Sequence, residues 1–282
     1  MTQGQMDDLD AGPSEPFWLD SGSSPLVISA PHHGAELPSA LLKRMSPRAQ
    51  DSEDSDWFMR ELYQPIAQEL GATLLCSRYS RFVVDLNRPP SDESLYPGQR
   101  STGLCPTETF SGRALYLKDQ APSPQERQAR LASYWRPYHL ALEAELERVK
   151  RRHGYALLWE AHSIKSEVPL LFEGRLPDFN LGTFEGRACA PLVERALSEA
   201  WVDVGASSPW SFVLNGRFKG GYITRAYGAP SEGVHAVQLE LSQRVYLADE
   251  SRPQWSEPHA EPARALIGAL IRSCLAALRA PQ

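Results

Sequence analysis

Polar side chains able to do metal or acid-base chemistry directly follow several apolar runs of this sequence. His32 and His33 follow "LVISAP", Glu160 and His162 end "YALLWEAH", and Glu240 closes "HAVQLE". A further cluster, "DLNR", follows "RFVV". Because ligands gather at the carboxyl ends of strands in open α/β sheets, these residues are the first candidates for a functional site.

Two of the histidines are candidates for metal ligands. Two histidines from different strand ends, with a carboxylate from a neighbouring helix, make the three-ligand site typical of catalytic zinc. His32 and His162 meet this requirement because each follows a strand whose apolar residues need no imidazole for packing. The segment "DSDWF" can supply the carboxylate. Packed or solvent-facing roles are predicted for His139, His153, His235 and His259.

A basic segment, "NGRFKGGYITR", offers a site for an anionic ligand. It places Arg217, Lys219 and Arg225 around the pair Gly220 and Gly221. Charged groups beside a backbone that a ligand can approach closely suit an anion. A solvated basic turn explains the segment equally well.

Alternating strands and helices must position these residues. Buried strands are predicted at "PLVISA", "ATLLCS", "RFVVDLN", "YALLWEAH", "SFVLNG" and "HAVQLEL". A helix is predicted from a capping box at Ser123 toward Gly154, with a break near Trp135 caused by Pro137. Two more helices are predicted, one starting near residues 52–54 and one over residues 261–278. Residues 89–124 are predicted to form a long loop.

Composition limits the classes of protein that this chain can belong to. With 282 residues, 42% of them hydrophobic, it can form one large α/β domain with a mostly parallel or mixed sheet covered on both faces. The net charge of -6 argues against nucleic acid as a partner, and no apolar run approaches a membrane span. The four cysteines are widely spaced, and the first sixteen residues are polar. These features predict a cytoplasmic protein with a flexible tail over residues 1–16 and specify no oligomeric state.

The chain closely resembles the N-formylglutamate deformylase (N-formylglutamate amidohydrolase) family. The likeness runs in order from about residue 25 to 247, through "PHHGAELP", "DSDWFMRELY", "SRFVVDLNRP", "LLWEAHSIKS", "LFEGRLPDFNLGT", "LNGRFKGGYITRAYG" and "VQLELSQRVYL". The resemblance implies a relationship to zinc carboxypeptidases and aspartoacylases. It therefore implies one α/β catalytic domain over residues 17–282, with a central mixed, mostly parallel sheet flanked by helices, of the zinc carboxypeptidase-like (phosphorylase/hydrolase-like) type.

The resemblance also implies roles for individual residues. His32, Asp56 and His162 fall on the family's metal ligands, which would hold one divalent ion, Zn2+. Glu240 matches the glutamate that activates water, and Arg81 is a candidate for the arginine that polarises the scissile carbonyl. Substrate carboxylates are assigned to Asn87, Arg88, Arg217, Lys219 and Arg225.

Two alternatives stay open at the predicted metal site. Zinc carboxypeptidases use an H-x-x-E spacing that would pair His33 with Glu36 in place of His32 and Asp56. Glu160 stands where the family usually has aspartate, so a carboxylate that orients a ligand would reach one methylene further.

The implied activity is metal-dependent hydrolysis of N-formyl-L-glutamate to L-glutamate and formate, the last step of a histidine degradation route. A small dianionic substrate agrees with basic residues retained at these positions of an acidic protein. The alternatives are a zinc-dependent deacylase or carboxypeptidase for another N-acyl amino acid, and a non-catalytic anion-binding protein.

Overall fold

A seven-stranded sheet built from short buried runs forms the centre of the protein. The computed structural model describes residues 15–95, 98, 101–205 and 207–279, so the predicted tail lies outside them except for Glu15 and Pro16. The strands of the sheet are β1 Phe17–Asp20, β2 Leu26–Ala30, β3 Thr73–Ser77, β4 Ala156–Ile164, β5 Phe179–Gly182, β6 Phe212–Leu214 and β7 Val234–Ser242. β8 Leu247–Asp249 and β9 Gln254–Trp255 form a separate antiparallel ribbon.

The order of the strands in the sheet is β1-β3-β2-β4-β7-β5-β6. The pairs β3-β2, β2-β4, β4-β7 and β5-β6 are parallel, whereas β1-β3 and β5-β7 are antiparallel. The predicted α/β fold with a mixed, mostly parallel sheet is confirmed. Since β2, β4 and β7 are parallel neighbours, their carboxyl ends meet at one edge of the sheet.

Helices cover both faces of the sheet. They are α1 Ser39–Leu42, α2 Met59–Leu70, α3 Pro124–Arg130, α4 Arg136–His153, α5 Pro191–Ala200, α6 Tyr222–Tyr227 and α7 Glu257–Arg279. Residues of α2, α5 and α7 pack into one apolar core with Leu26 and Ile28 of β2. Residues of α4 pack into a second core with Val27, whose side chain points to the opposite face. Among the described residues, no helix is long and apolar enough to cross a membrane.

The predicted capping box and helix break are both present. The Ser123 hydroxyl accepts a hydrogen bond from the backbone N–H of Glu126 at 3.2 Å, at the start of α3. A wide π-helical turn, Leu131–Trp135, separates α3 from α4 just before Pro137. Gly154, with φ of 80°, ends α4. Because Pro137 has no backbone N–H to donate, the regular ladder is interrupted one turn earlier.

Two predictions about elements were wrong. The run "RFVVDLN" is buried but forms turns, in which Val83 N–H donates to Ser80 O at 2.9 Å and Asp85 N–H donates to Leu104 O at 2.7 Å. Its apolar pattern reflects burial and cannot by itself distinguish a strand from a packed turn. The helix expected from residues 52–54 starts only at Met59, because Phe58 has a left-handed conformation with φ of 57°. The described part of residues 89–123 contains isolated bridges only, as expected for a long loop.

Candidate active site

Three predicted ligands lie together at the carboxyl edge of the sheet. His32 follows β2, His162 is on β4, and Asp56 precedes α2. One ligand atom from each lies within 4.8 Å of the other two, and all three residues are at most 3% exposed. Asp56 N–H donates to His32 O at 2.9 Å, which fixes the aspartate beside the histidine.

The Nδ1 atoms of His32 and His162, the inner nitrogens of the cluster, face the Asp56 carboxylate. Asp56 Oδ2 is 2.8 Å from His162 Nδ1 and 3.8 Å from His32 Nδ1. His32 Nδ1 is buried and has no hydrogen-bond partner among the described residues. A buried nitrogen left without a partner is costly unless a ligand satisfies it. The donor set and this orphaned nitrogen fit a divalent metal ion bound by His32, Asp56 and His162.

The Nε2 atoms, the outer nitrogens of these histidines, contact carboxylates. His32 Nε2 lies 2.7 Å from Asp85 Oδ1, and His162 Nε2 lies 3.1 Å from Glu160 Oε1. A carboxylate that accepts the outer N–H leaves the inner nitrogen as a lone-pair donor and fixes the orientation of the ring. Glu160 is fully buried and its second oxygen accepts hydrogen bonds from the N–H and hydroxyl of Thr224, at 3.1 and 2.7 Å.

The charges of the cluster favour a cation between its members. Burial alone would lower the pKa of His162, but hydrogen bonds to Asp56 and Glu160 outweigh burial and raise this pKa well above its ordinary value. Burial and the Arg81 charge lower the pKa of His32. Both carboxylates thus favour positive charge at His162, which a proton or a metal ion can supply.

His33 and Glu36 are not part of this cluster. His33 packs edge-on against Trp18, with ring centroids 5.8 Å apart, and its Nδ1 lies 3.5 Å from Arg60 N. Glu36 is near the surface, where it pairs with Arg78 at 3.3 Å. The structure thus places His32 and Asp56 together with His162. The alternative pair, His33 and Glu36, lies outside this group.

Glu240 lies beside the predicted metal ligands, on the strand next to that of His162. Its Cα pairs with that of His162 in the β4-β7 register, so both side chains point to the same face of the sheet. The carboxyl is 8% exposed, and its closest hydrogen-bond contact is Gln238 Nε2 at 3.5 Å. Burial, with the Asp56 charge adding to it, raises the pKa of Glu240 to about 8. Such a carboxyl can exchange a proton near neutral pH.

Arg81 is fixed at the wall of the site. Its guanidinium donates to Asp85 Oδ2 at 2.6 Å and lies 4.6 Å from the centroid of the Phe110 ring. Burial alone would raise the pKa of Asp85, but Arg81 and His32 hold it well below its ordinary value. Asp85 is therefore an anion that connects Arg81 to His32.

Asn87 and Arg88 differ in the hydrogen bonds that their side chains make to the described residues. Asn87 Oδ1 accepts the N–H of Ile223 at 2.8 Å, and its Nδ2 lies 2.9 Å from His162 Nε2. The Arg88 guanidinium makes no hydrogen bond to the residues that the structure describes, and it lines the same cavity. Arg88 is therefore the more available of the two for a carboxylate.

The structure brings one of the three basic residues of the "NGRFKGGYITR" segment to the cavity. Arg217 lines the cavity and donates to Leu171 O at 3.2 and 3.3 Å. Lys219 pairs with Glu185 at 2.6 Å on an exposed surface. Arg225 donates to backbone oxygens of Gly220 and Leu95 at 2.9 and 3.0 Å, and so supports the loop.

These side chains surround one cavity of about 130 Å3. His32, His162 and Glu240 form one part of its lining, and cationic and apolar residues form most of the rest. The lining residues that carry the chemistry are His32, Arg81, Asp85, Asn87, Arg88, His162, Arg217 and Glu240. The arrangement can bind a small anion beside a metal ion and a proton-exchanging carboxyl.

The family model of N-formylglutamate amidohydrolase matches residues 24–247. The chain belongs to this family. It is 49% identical to an N-formylglutamate deformylase of Pseudomonas aeruginosa and 45% identical to one of Pseudomonas putida, in both cases over 90% of this chain and 94% of the relative. A crystal structure of N-formylglutamate amidohydrolase from Ralstonia eutropha JMP134 has the same fold, with a TM-score of 0.76 at 23% identity over 94% of this chain and 99% of that one.

Three residues of this N-formylglutamate amidohydrolase family member position other side chains of the site. The sequence alone indicated no role for them. They are Asp85, Thr224 and Gln238. Gln238 accepts the N–H of Gly221 at 2.6 Å, and a Cβ at Gly221 would lie 2.3 Å from Asn87 Nδ2. Gln238 lies two residues before Glu240 on β7, so the alternation of a strand could have placed both on the same face. Thr224 has no comparable signal, because its contact with Glu160 joins distant segments.

Proposed function

We propose that this chain hydrolyses N-formyl-L-glutamate to L-glutamate and formate with one bound Zn2+ ion, as the last step of a histidine degradation route. The observation that carries the proposal is the buried group of His32, Asp56 and His162, with its orphaned nitrogen. The two histidines of this group line a cavity together with Glu240 and arginines. Membership of the family and the names of the Pseudomonas relatives support the choice of substrate.

His32, Asp56 and His162 would hold the ion. When bound, Zn2+ supplies a Lewis acid that polarises the formyl carbonyl and lowers the pKa of water toward ~7. Asp85 and Glu160 keep the two imidazoles oriented for binding through their outer nitrogens. The chain's own part in the chemistry then falls to Glu240 and the arginines.

Glu240 moves the protons. Hydrolysis breaks the bond between the formyl carbon and nitrogen, adds the water oxygen to that carbon and delivers protons to the amine. As a carboxylate, Glu240 accepts a proton from the attacking water, and it returns this proton to the departing nitrogen, since an amine anion is too poor a leaving group. Burial raises the pKa of Glu240 to about 8 in the metal-free protein, so this carboxyl is able to hold the proton between the two steps.

Arg81 stabilises negative charge on the carbonyl oxygen as the carbonyl carbon becomes tetrahedral. Its ion pair with Asp85 and its contact with the Phe110 ring fix the guanidinium before substrate arrives. A preorganised donor of this kind requires no reorganisation during the reaction.

The two substrate carboxylates require cations. Arg88 and Arg217 both line the cavity, and Asn87 supplies an amide beside them. Arginine binds carboxylates in a planar, two-pronged geometry that lysine does not provide. We therefore assign the carboxylates to Arg88 and Arg217, and assign Arg225 to support of the loop.

Metal analysis combined with turnover tests the proposal. Purified protein should contain one zinc per chain and hydrolyse N-formyl-L-glutamate, whereas chelation should abolish turnover and zinc should restore it. Formate and glutamate should appear in equal amounts. Protein that binds no metal, or metal-loaded protein that hydrolyses N-acetyl- or peptidyl-glutamate at least as fast as the formyl compound, would overturn the assignment.

A further inference from the structure

A second cavity adjoins the catalytic one. Its volume is about 430 Å3, against about 130 Å3 for the catalytic cavity. The two cavities share three lining residues, which are Phe110, Ser163 and Ile164. Beyond this boundary the second cavity is lined by apolar side chains, including those of Val168 and Leu170, and by charged residues around them, including Glu53, Lys165 and Glu167. It is large enough for an alkyl chain, and the proposed reaction gives it no role.

Phe110 is the largest of the three boundary residues, and it is held from two sides. Its backbone N–H donates to Asp54 Oδ2 at 2.7 Å, and its ring lies 4.6 Å from the Arg81 guanidinium carbon. The turn around it is closed by a hydrogen bond of 2.9 Å from Thr109 N–H to Arg113 O. The ring is therefore a fixed wall of the catalytic cavity.

The wall stands next to the reacting carbonyl of the proposed substrate. Arg81 contacts the ring, and Arg81 is the residue assigned to the carbonyl oxygen. The acyl substituent on that carbon is a single hydrogen in a formyl group and an alkyl chain in larger acyl groups. Cationic side chains already define where the glutamyl carboxylates bind. A larger acyl group thus needs space on the side of Phe110 and Ile164.

We propose that Phe110 sets the acyl specificity of this enzyme by closing the catalytic cavity against the apolar side chains of the second, larger one. Removing the ring would join the two cavities and admit N-acyl-L-glutamates with longer alkyl groups. The inference rests on the proposed function, since it takes the glutamyl carboxylates and the carbonyl to be bound as described there.

Phe110→Ala and Phe110→Leu test the proposal with N-formyl-, N-acetyl- and N-butyryl-L-glutamate. Because one methylene in an apolar pocket changes discrimination by roughly 10- to 200-fold, Phe110→Ala should raise the butyryl-to-formyl ratio of kcat/KM by at least about tenfold. Phe110→Leu should lie between it and the wild type. Calorimetry on chelated protein gives a readout independent of turnover, and there Phe110→Ala should bind N-butyryl-L-glutamate more tightly than the wild type does.

Leu170 offers a matched control because it lines the second cavity alone and is 42% exposed. Leu170→Trp in the Phe110→Ala background should fill the second cavity and remove the gain, and by itself it should leave formyl turnover unchanged. Equal loss on all three substrates in Phe110→Ala, with unchanged butyryl binding, overturns the inference and leaves the proposed function intact. Metal-loaded wild type that fails on N-formyl-L-glutamate overturns the proposed function instead.

Discussion

The position of a carboxyl relative to the two histidines determines what it does at this site. Asp85 and Glu160 contact outer nitrogens, Asp56 faces the inner nitrogens, and Glu240 contacts neither ring by a hydrogen bond among the described residues. Burial raises the pKa of Glu240 to about 8. The roles proposed for these residues, ligand orientation and proton transfer, thus fall on side chains that are chemically alike.

This division predicts the effect of Glu240→Gln. The variant keeps the shape of the side chain and all three metal ligands but cannot accept a proton. Zinc content should stay at that of the wild type, while kcat falls by roughly 10²- to 10⁴-fold. Metal analysis and turnover on the same sample check both parts. Asp56→Asn is the control, and it should lose zinc together with activity. A Gln variant with near-normal turnover would falsify the role of Glu240.

Arg217 and Lys219 form a second matched pair, two positions apart in the same loop. Arg217 lines the cavity, whereas Lys219 pairs with Glu185 at the surface. Because a hydrogen bond to a charged group contributes about 1.5 to 3 kcal/mol, Arg217→Met should raise KM about ten- to a hundredfold. Lys219→Met should leave KM within about twofold, since exposed ion pairs contribute little. Steady-state kinetics of both variants measures KM. Equal changes in KM would contradict the assignment of Arg217 to a substrate carboxylate.

The sequence predicted the grouping of His32, Asp56 and His162 better than the positions of the cationic side chains, for a physical reason. His32 follows β2 and His162 lies near the carboxyl end of β4, and parallel neighbouring strands bring their carboxyl ends together. Lys219 belongs to a loop, where the direction of each side chain depends on contacts such as that with Glu185. No periodicity in the sequence encodes those contacts.

At the scale of elements, α3 and α4 hold the turn that carries Arg81, Asp85 and Asn87. Arg130 of α3 is 1% exposed and donates to Val83 O at 2.9 Å. His139 of α4 is 4% exposed, and its Nε2 lies 2.9 Å from Leu86 O. These contacts explain why an apolar run that looks like a strand is a well-ordered turn. The sequence shows that the run is buried, but it does not show that helices bind its carbonyl groups.

His139 should make the free energy of unfolding depend on pH. Burial lowers its pKa from 6.5 to about 4. Between these values the unfolded chain binds more protons than the folded protein, so stability is complete above pH 6.5 and is lost as pH falls toward 4. The contribution is about 3 kcal/mol for this buried group. Urea unfolding of wild type and His139→Gln from pH 7 to 4 checks it. The difference in unfolding free energy should shrink toward acid pH, and a constant difference would contradict the prediction.

At the scale of the whole molecule, topology accounts for the location of the site. The central strands β2, β4 and β7 are parallel neighbours, so one sheet edge collects two histidines and Glu240 from segments more than 200 residues apart. Alternation of strands and helices predicted this class of sheet. It could not predict β1 and β5, whose antiparallel pairings depend on which sheet edge remains open.

Because segments distant in the chain supply the ligands, metal binding should stabilise the whole fold. The unfolded chain does not hold His32, Asp56 and His162 together, so zinc at 100 to 1,000 times its Kd should add about 3 to 4 kcal/mol to the unfolding free energy. The gain should shrink at lower pH, because a proton on His162 competes with the metal ion. Burial alone would lower the pKa of His162, but its hydrogen bonds to Asp56 and Glu160 outweigh burial and raise this pKa. Urea unfolding with zinc and with chelator, at pH 8 and pH 6, measures both effects. Asp56→Asn should show neither effect, and a wild type equally stable with zinc and with chelator would show that these residues hold no metal.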